Sequence, residues 1–191
     1  EAIHDYDSLA NIHVDKDSRI EFFKVGRRLY SNLSNYVDDE SNMAAYYEDR
    51  YVACDDSLVA LMPENDNFRK FIIAERMVAN GKFAAARNVL KKLMAELGPN
   101  SNIYGMTAFQ LASVYKSDGD QTQYAAYLAK AAESDIVCNV REGFALPALA
   151  AWLYEQNEFA MAFRYINFAL EEAYKGNARV RMVSMARWVP A

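Results

Sequence analysis

Three groups of neighbouring carboxylates are the residues whose types first suggest catalysis: residues 38–40, Asp55-Asp56 and Glu171-Glu172. Paired carboxylates can act as general acid and base when a nucleophile, a histidine or a metal completes the site. The sequence places no such group beside any of the three. We therefore expect these carboxylates to lie on solvated helix faces or to cap helices, and we predict that the chain is not an enzyme.

The two cysteines and the two histidines do not form a metal-binding pattern. Cys54 and Cys138 lack a CxxC spacing, and His4 and His13 lie near the N-terminus without a second cluster of ligands. Two helical repeats would separate the cysteines, which exceeds the short Cα separation of a disulfide. We expect free, mostly buried thiols and neither a metal nor another cofactor.

Composition points to helices as the elements that carry these residues. The chain has 191 residues, of which 52% are hydrophobic and 25% are charged, as in ordinary globular proteins. Seven glycines and four prolines are too few for the many tight turns of an all-β fold. The net charge of −5 argues against direct nucleic-acid binding, and no stretch of about 18 apolar residues could span a bilayer. An all-α fold is the prediction.

A repeat of 38 residues organises the chain, and Gly81, Gly119 and Asn157 are spaced by this period. Each tolerates the left-handed backbone conformation that ends one helix and reverses the chain into the next. Small residues are needed where paired helices approach, and large apolar residues where the helices are buried. The same register holds Ala74, Ala112 and Ala150 before the turn, and Ala86, Tyr124, Ala162, Leu90, Leu128 and Ile166 after it.

We interpret residues 1–191 as one helical-repeat domain. Because the first residue is Glu1 rather than Met, we expect the chain to be part of a longer protein, with residues 1–16 as the remnant of a preceding repeat. Four helix pairs and a capping helix would follow, over residues 17–66, 67–104, 105–138, 139–176 and 177–191.

Local signals refine the ends of the helices. Ser18 and Glu21 have the spacing of a capping box, which predicts Ser18 as an N-cap, and Gly26 takes the small-residue role of Ala74. Pro147 lies inside a helix that could begin near Asn139, so we expect a kink or a delayed start. The basic residues of 177–191 are interpreted as the polar face of the capping helix, with approach to a membrane surface as the alternative.

The first helices of the pairs should line a concave face, where such solenoids usually hold a peptide or a partner segment. Aromatic rings with scattered charges suit an extended peptide, because the rings supply contact area and the charges supply register. Aromatic residues at helical spacing are also typical of the core between repeats, so both interpretations stay open. The groove candidates are Phe23, Arg27, Tyr30, Phe71, Glu75, Val78, Phe109, Ser113, Lys116 and Tyr154.

The residues Ala74, Gly81, Phe83 and Ala86 resemble a tetratricopeptide repeat, a helix-turn-helix unit with small residues in both helices and a Gly-aromatic turn. The match is good again at Ala150, Phe159 and Ala162, and weaker around Gly119, where Tyr124 replaces the small residue. This resemblance implies a tetratricopeptide-like α-α superhelix, a right-handed solenoid of antiparallel helix pairs.

From about Phe68 to Arg181 the chain more narrowly resembles a bacterial family of membrane-anchored helix-turn-helix transcriptional regulators. The resemblance is carried by residues 129–136, 153–156 and 165–173. In that family, a tetratricopeptide-like domain outside the inner membrane is followed by a transmembrane helix, a coiled coil and a cytoplasmic DNA-binding domain.

This narrower resemblance implies a non-catalytic sensor or interaction domain on the periplasmic side of the inner membrane. Its partner would be a protein or peptide, and its parent would be anchored in the membrane. A cytoplasmic tetratricopeptide scaffold or assembly adaptor, using the same groove, is the alternative. Inspecting the complete gene for a leader and a transmembrane helix would separate the two.

Overall fold

The computed structural model describes residues 2–9, 14–34, 37, 42–140, 143–178 and 182. All regular secondary structure within these residues is helical, which confirms the expected all-α helical-repeat fold. The helices are α1 (Ala2–Leu9), α2 (Lys16–Ser34), α3 (Asn42–Leu61), α4 (Asn67–Ala79), α5 (Phe83–Glu96), α6 (Asn102–Ser117), α7 (Gln121–Val137), α8 (Ala145–Glu155) and α9 (Phe159–Lys175).

The chain divides into two compact units, Glu1–Arg69 and Lys70–Ala191. In the first unit α2 packs along α3, and α1 adds Tyr6 to a buried cluster with Tyr30, Tyr47 and Cys54. The small-residue role expected of Gly26 is confirmed, because a Cβ at this position would collide with the phenol of Tyr6.

In the second unit, helices that follow one another in the chain pack together: α5 with α6, α6 with α7, α7 with α8, and α8 with α9. The small residues of the repeat lie at these contacts. Ala74, Ala112 and Ala150 are buried, and so are Ala86, Tyr124 and Ala162 on the following helices. The predicted helix-packing positions are therefore confirmed, and the division into pairs within one domain stays a prediction.

The three predicted reversals have the expected backbone conformation. Gly81 and Gly119 have φ values of 71° and 78°, and Asn157 has a φ of 63°. An L residue with a Cβ rarely adopts these angles, and asparagine does so more readily than most. Two further asparagines, Asn139 and Asn177, adopt the same conformation after α7 and α9, although the sequence repeat did not single them out.

The predicted capping box at Ser18 is wrong. Helix α2 begins two residues earlier, at Lys16, and Asp15 is its cap: one carboxylate oxygen accepts the backbone N–H groups of Asp17 and Ser18 at 3.0 Å. These hydrogen bonds, with that from the Ser18 hydroxyl, lower the pKa of Asp15. The delayed start at Pro147 is confirmed, since α8 begins at Ala145 and places the proline in its first turn.

Candidate partner-binding surface

Arg27, a predicted groove residue, is buried in the first unit and paired with a carboxylate. Its Nε donates a hydrogen bond to Oδ1 of Asp55 at 2.7 Å, and its Nη2 donates to the hydroxyl of Tyr51. The guanidinium also lies over the rings of Tyr51 and Phe68, at 4.7 Å and 5.5 Å from their centroids. This side chain is used within the unit to hold α2 against α3.

Two of the predicted groove aromatics are core residues in the structure. Tyr30 and Phe71 have exposed fractions of 0% and 2%. The ring of Phe23 is half-buried and packs against the buried tyrosine cluster of the first unit. Because a ligand can contact only accessible atoms, Tyr30 and Phe71 contribute to stability rather than to a binding surface.

Helix α6 presents three candidate residues on its open side. Phe109 and Ser113 are half-buried, and Lys116 is exposed. They recur at spacings of four and three residues, which places them on one face of a helix. Phe109 packs on the buried alanine cluster of Ala108, Ala131, Ala132 and Ala145, and the ammonium of Lys116 lies 5.3 Å from the ring centroid of Tyr124.

A hydrogen bond connects α4 to this exposed face of α6. The side-chain amide of Gln110 donates to Oε1 of Glu75 at 3.0 Å. Val78, one turn after Glu75, is half-buried. Glu75, Gln110 and the face of α6 therefore form a half-accessible strip across two helices, with polar and apolar groups in alternation.

The last candidate, Tyr154, is exposed at the C-terminal end of α8. Its ring meets that of Phe159 edge to face, with centroids 5.1 Å apart across the turn at Asn157. The nearby carboxylate of Glu155 adds to the effect of burial in raising the pKa of Tyr124, the ring that Lys116 covers. Both rings of this pair are exposed to solvent and offer it an apolar surface.

The comparison with known families bears on this geometry. The model of the SusR N-terminal TPR domain matches residues 1–187. The chain belongs to this family. TPR domains generally mediate protein–protein interactions and are generally non-catalytic scaffolds. No curated protein matches the chain.

Sequence reasoning missed two residues that this TPR domain places at the surface. Gln110 connects α6 to Glu75, and Phe159 pairs with Tyr154. Helical spacing could have found Gln110, because it lies three residues before Ser113 on the same open side of α6. Phe159 was noted only as a turn residue, and its contact with Tyr154 depends on the reversal at Asn157.

The carboxylates that first suggested catalysis differ in burial and in their partners within the TPR domain. Asp55 is buried, so the expectation that it is solvated was wrong, because its charge is matched by Arg27. Glu171 is exposed, and Glu172 accepts a hydrogen bond from the ammonium of Lys175 at 2.7 Å. Residues 38–40 lie outside the described residues. Within the described chain, no three His, Cys, Asp or Glu side chains are grouped to hold a metal.

A small cavity lies in the second unit of the TPR domain, between α7, α8 and α9. Its volume is about 70 Å³, and its walls include Asp135, Asn139, Leu146, Phe168 and Glu172. Pockets for small organic ligands usually have volumes of about 300 Å³ or more. The strip on α4 and α6 and the exposed pair of Tyr154 and Phe159 are therefore the better candidates for recognition.

None of the described helices combines the length and the apolar composition needed to cross a bilayer. The two cysteines are free thiols, Cys54 buried and Cys138 half-buried. Of the predicted basic helix at residues 177–191, the structure describes only residues 177, 178 and 182, and Met182 packs against the buried alanine cluster of Ala169, Ala173 and Ala178.

Proposed function

We propose that this TPR domain is the extracytoplasmic sensor part of a membrane-anchored transcriptional regulator, and that it acts by binding a protein or peptide. The observation that carries the proposal is the family match over residues 1–187. That family is described as an N-terminal TPR domain, which supports the proposed position of the domain before an anchor. The resemblance of residues 68–181 to membrane-anchored regulators supports the same organisation.

The binding surface in this proposal combines the strip on α4 and α6 with the aromatic pair of Tyr154 and Phe159. Its members are Glu75, Val78, Phe109, Ser113, Lys116 and Tyr154, with Gln110 and Phe159 added by the structure. Half-buried apolar groups beside exposed polar groups suit an extended segment, because the former supply contact area and the latter orient it. Buried Arg27, Tyr30 and Phe71 are left out.

The side of the membrane can be tested by cysteine labelling in cells. The parent protein would carry Cys138→Ser to remove the half-buried thiol and Asn88→Cys to add an exposed one on α5. A membrane-impermeant maleimide is then added to cells whose outer membrane has been permeabilised. We expect labelling before lysis. Labelling only after lysis would contradict the proposal and favour the cytoplasmic scaffold.

The sensing role can be tested separately by transcript profiling. Lys116→Glu reverses an exposed charge on the proposed strip, and Lys92→Glu makes the same change on exposed α5 as a control. We expect Lys116→Glu alone to change the set of regulated transcripts while the melting temperature of the isolated domain stays the same. Identical profiles for wild type and both variants would contradict a role of this strip in signalling.

A further inference from the structure

A second surface of the domain concentrates positive charge over tyrosine rings. The rings of Tyr115 on α6 and Tyr127 on α7 are stacked, with centroids 5.3 Å apart and planes at 11°. The ammonium of Lys91 on α5 lies 5.7 Å from the centroid of Tyr115, and that of Lys130 lies 4.8 Å from the centroid of Tyr127. We call these four residues with Arg87 the tyrosine–lysine patch.

The charges of the patch are incompletely balanced. The guanidinium of Arg87 lies over Tyr115 at 5.6 Å and pairs with Asp118 at 2.6 Å. Among the described residues, neither Lys91 nor Lys130 has a carboxylate partner in an ion pair. The whole chain has a net charge of −5. The positive charge of these lysines is therefore opposite in sign to the net charge of the molecule.

The tyrosines also orient the cations. Interaction with the side chain of Tyr115 raises the pKa of Lys91. The ring of Tyr115 is almost fully buried and therefore fixed in place. Cations held against fixed rings lose less conformational freedom on binding a partner than freely rotating lysines do.

The patch shares no residue with the strip on α4 and α6. Tyr115 follows Ser113 by two residues, which is about 200° around a helix, so these two side chains leave α6 on opposite sides. Lys116 of the strip directly follows Tyr115 and lies over the ring of Tyr124 on α7, so the two surfaces adjoin at the C-terminal end of α6.

We propose that the tyrosine–lysine patch is a docking surface for an acidic peptide segment of a protein partner. The ammonium groups of Lys91 and Lys130 stand over different rings of the stacked pair, so the patch presents separated charges rather than one cradle. Carboxylates spaced along a peptide match this arrangement, with the half-buried ring of Tyr127 as apolar contact between them. A single small anion would contact only part of this arrangement of charges.

The test uses the complete 191-residue chain and a fluorescein-labelled octaglutamate peptide, with octaglutamine as the uncharged comparison. Binding is measured by fluorescence anisotropy at low ionic strength. The variant Lys91→Gln/Lys130→Gln removes the two lysine charges of the patch, and Lys82→Gln/Lys92→Gln removes the same net charge from exposed positions outside the patch. We expect the first pair to weaken octaglutamate binding about ten-fold and the control pair less than about two-fold.

Three outcomes would overturn the proposal. Equal weakening by the two double variants would assign the binding to overall charge. Displacement by inorganic phosphate, beyond that caused by chloride at the same ionic strength, would assign the patch to a small anion. If octaglutamate bound no better than octaglutamine, recognition of an acidic partner by this patch would be excluded.

Amide chemical-shift mapping on the unmodified chain gives an independent readout that needs no variant. We expect octaglutamate to shift amides of α5 and α7 around Lys91 and Lys130. Shifts confined to other helices would contradict the proposal.

Discussion

The guanidinium of Arg27 and the carboxylate of Asp55 form a buried ion pair, with Nε 2.7 Å from Oδ1. Both side chains are less than one-tenth exposed, and they connect the middle of α2 to the second half of α3. Removing one partner of such a pair leaves an uncompensated charge in the interior, which is more damaging than replacing both. The pair is therefore one contact between the two helices whose disruption should be costly.

We expect Asp55→Ala to lower the free energy of unfolding by about 3–5 kcal/mol, because the guanidinium of Arg27 would lose its buried counter-charge. Urea denaturation measures the change. Asp49→Ala, at an exposed position of α3, is the control and should stay within about 0.5 kcal/mol of wild type. The double variant Arg27→Met/Asp55→Leu should be more stable than Asp55→Ala alone, and the reverse order would contradict a buried-charge penalty.

The turn glycines provide a second prediction. Gly119 has a φ of 78° and open space where a Cβ would lie, so Gly119→Ala should be destabilising through backbone strain alone. We expect a loss of about 1–2 kcal/mol. Gly98 also has open space and lacks a positive φ. Gly98→Ala should therefore be neutral or stabilise by up to about 1 kcal/mol. Thermal denaturation that ranks the two variants equally would contradict the assignment.

We predict that Ser134 of α7 stabilises the loop between α5 and α6 through hydrogen bonds. Its buried hydroxyl lies 3.0 Å from the carbonyl oxygen of Pro99 and 3.2 Å from that of Ser101, both in the connection between α5 and α6. Ser134→Ala leaves the Pro99 carbonyl with only the weak thiol donor of Cys138, at 3.9 Å, and should cost about 1–3 kcal/mol, whereas the Ser101 carbonyl keeps the backbone N–H groups of Tyr104 and Gly105. Ser117→Ala, which removes an exposed hydroxyl bonded within its own helix, is the matched control for urea denaturation. A smaller loss of unfolding free energy for Ser134→Ala than for the control would contradict this stabilising role.

Buried acids in the first unit predict a loss of stability at alkaline pH. Burial raises the pKa of the Tyr6 hydroxyl and of the Cys54 thiol, whose oxygen and sulfur atoms lie 3.6 Å apart. Groups with raised folded-state pKa values stabilise fully below their unfolded values, about 8.5 for Cys and 10 for Tyr, and lose this contribution as the pH rises through the folded-state values. We expect the free energy of unfolding to fall above about pH 8.5, and more steeply above about pH 10.

The variant Tyr6→Phe isolates the tyrosine part of this effect. It keeps the ring that stacks on Phe22 and removes the ionisable hydroxyl. We expect urea denaturation over the alkaline range to show a shallower loss of stability than in wild type. Tyr46→Phe, at an exposed position, should leave the alkaline loss unchanged. Equal slopes for wild type and Tyr6→Phe would rule out the buried hydroxyl as the cause.

Features that depend on neighbours in the chain could be predicted without coordinates. The period that relates Gly81, Gly119 and Asn157 predicted three reversals with positive φ, and each has that conformation. The delayed start at Pro147 is equally local, because a proline is tolerated in the first turn of a helix. The capping-box prediction also depended only on neighbours in the chain, but it was wrong. Asp15, Ser18 and Glu21 offer competing capping patterns, and the carboxylate of Asp15 accepts the hydrogen bonds from both backbone donors.

Which helix face meets another helix could not be predicted in the same way. Phe71 and Phe109 occupy equivalent positions of the repeat, yet the ring of Phe71 is almost fully buried and that of Phe109 is half-accessible. Helical periodicity places a residue on a face and does not say whether that face meets solvent or protein. The same spacing therefore serves core and surface residues equally well.

The sequence by itself determined the all-α class, the repeat and its turns, because these follow from residue type and short-range spacing along the chain. Only the tertiary structure decided that Arg27 and Asp55, 28 residues apart, form a buried pair, and that two tyrosines from α6 and α7 stack beneath lysines from α5 and α7. The reason is physical: burial and charge pairing depend on atoms that folding brings together from distant parts of the chain.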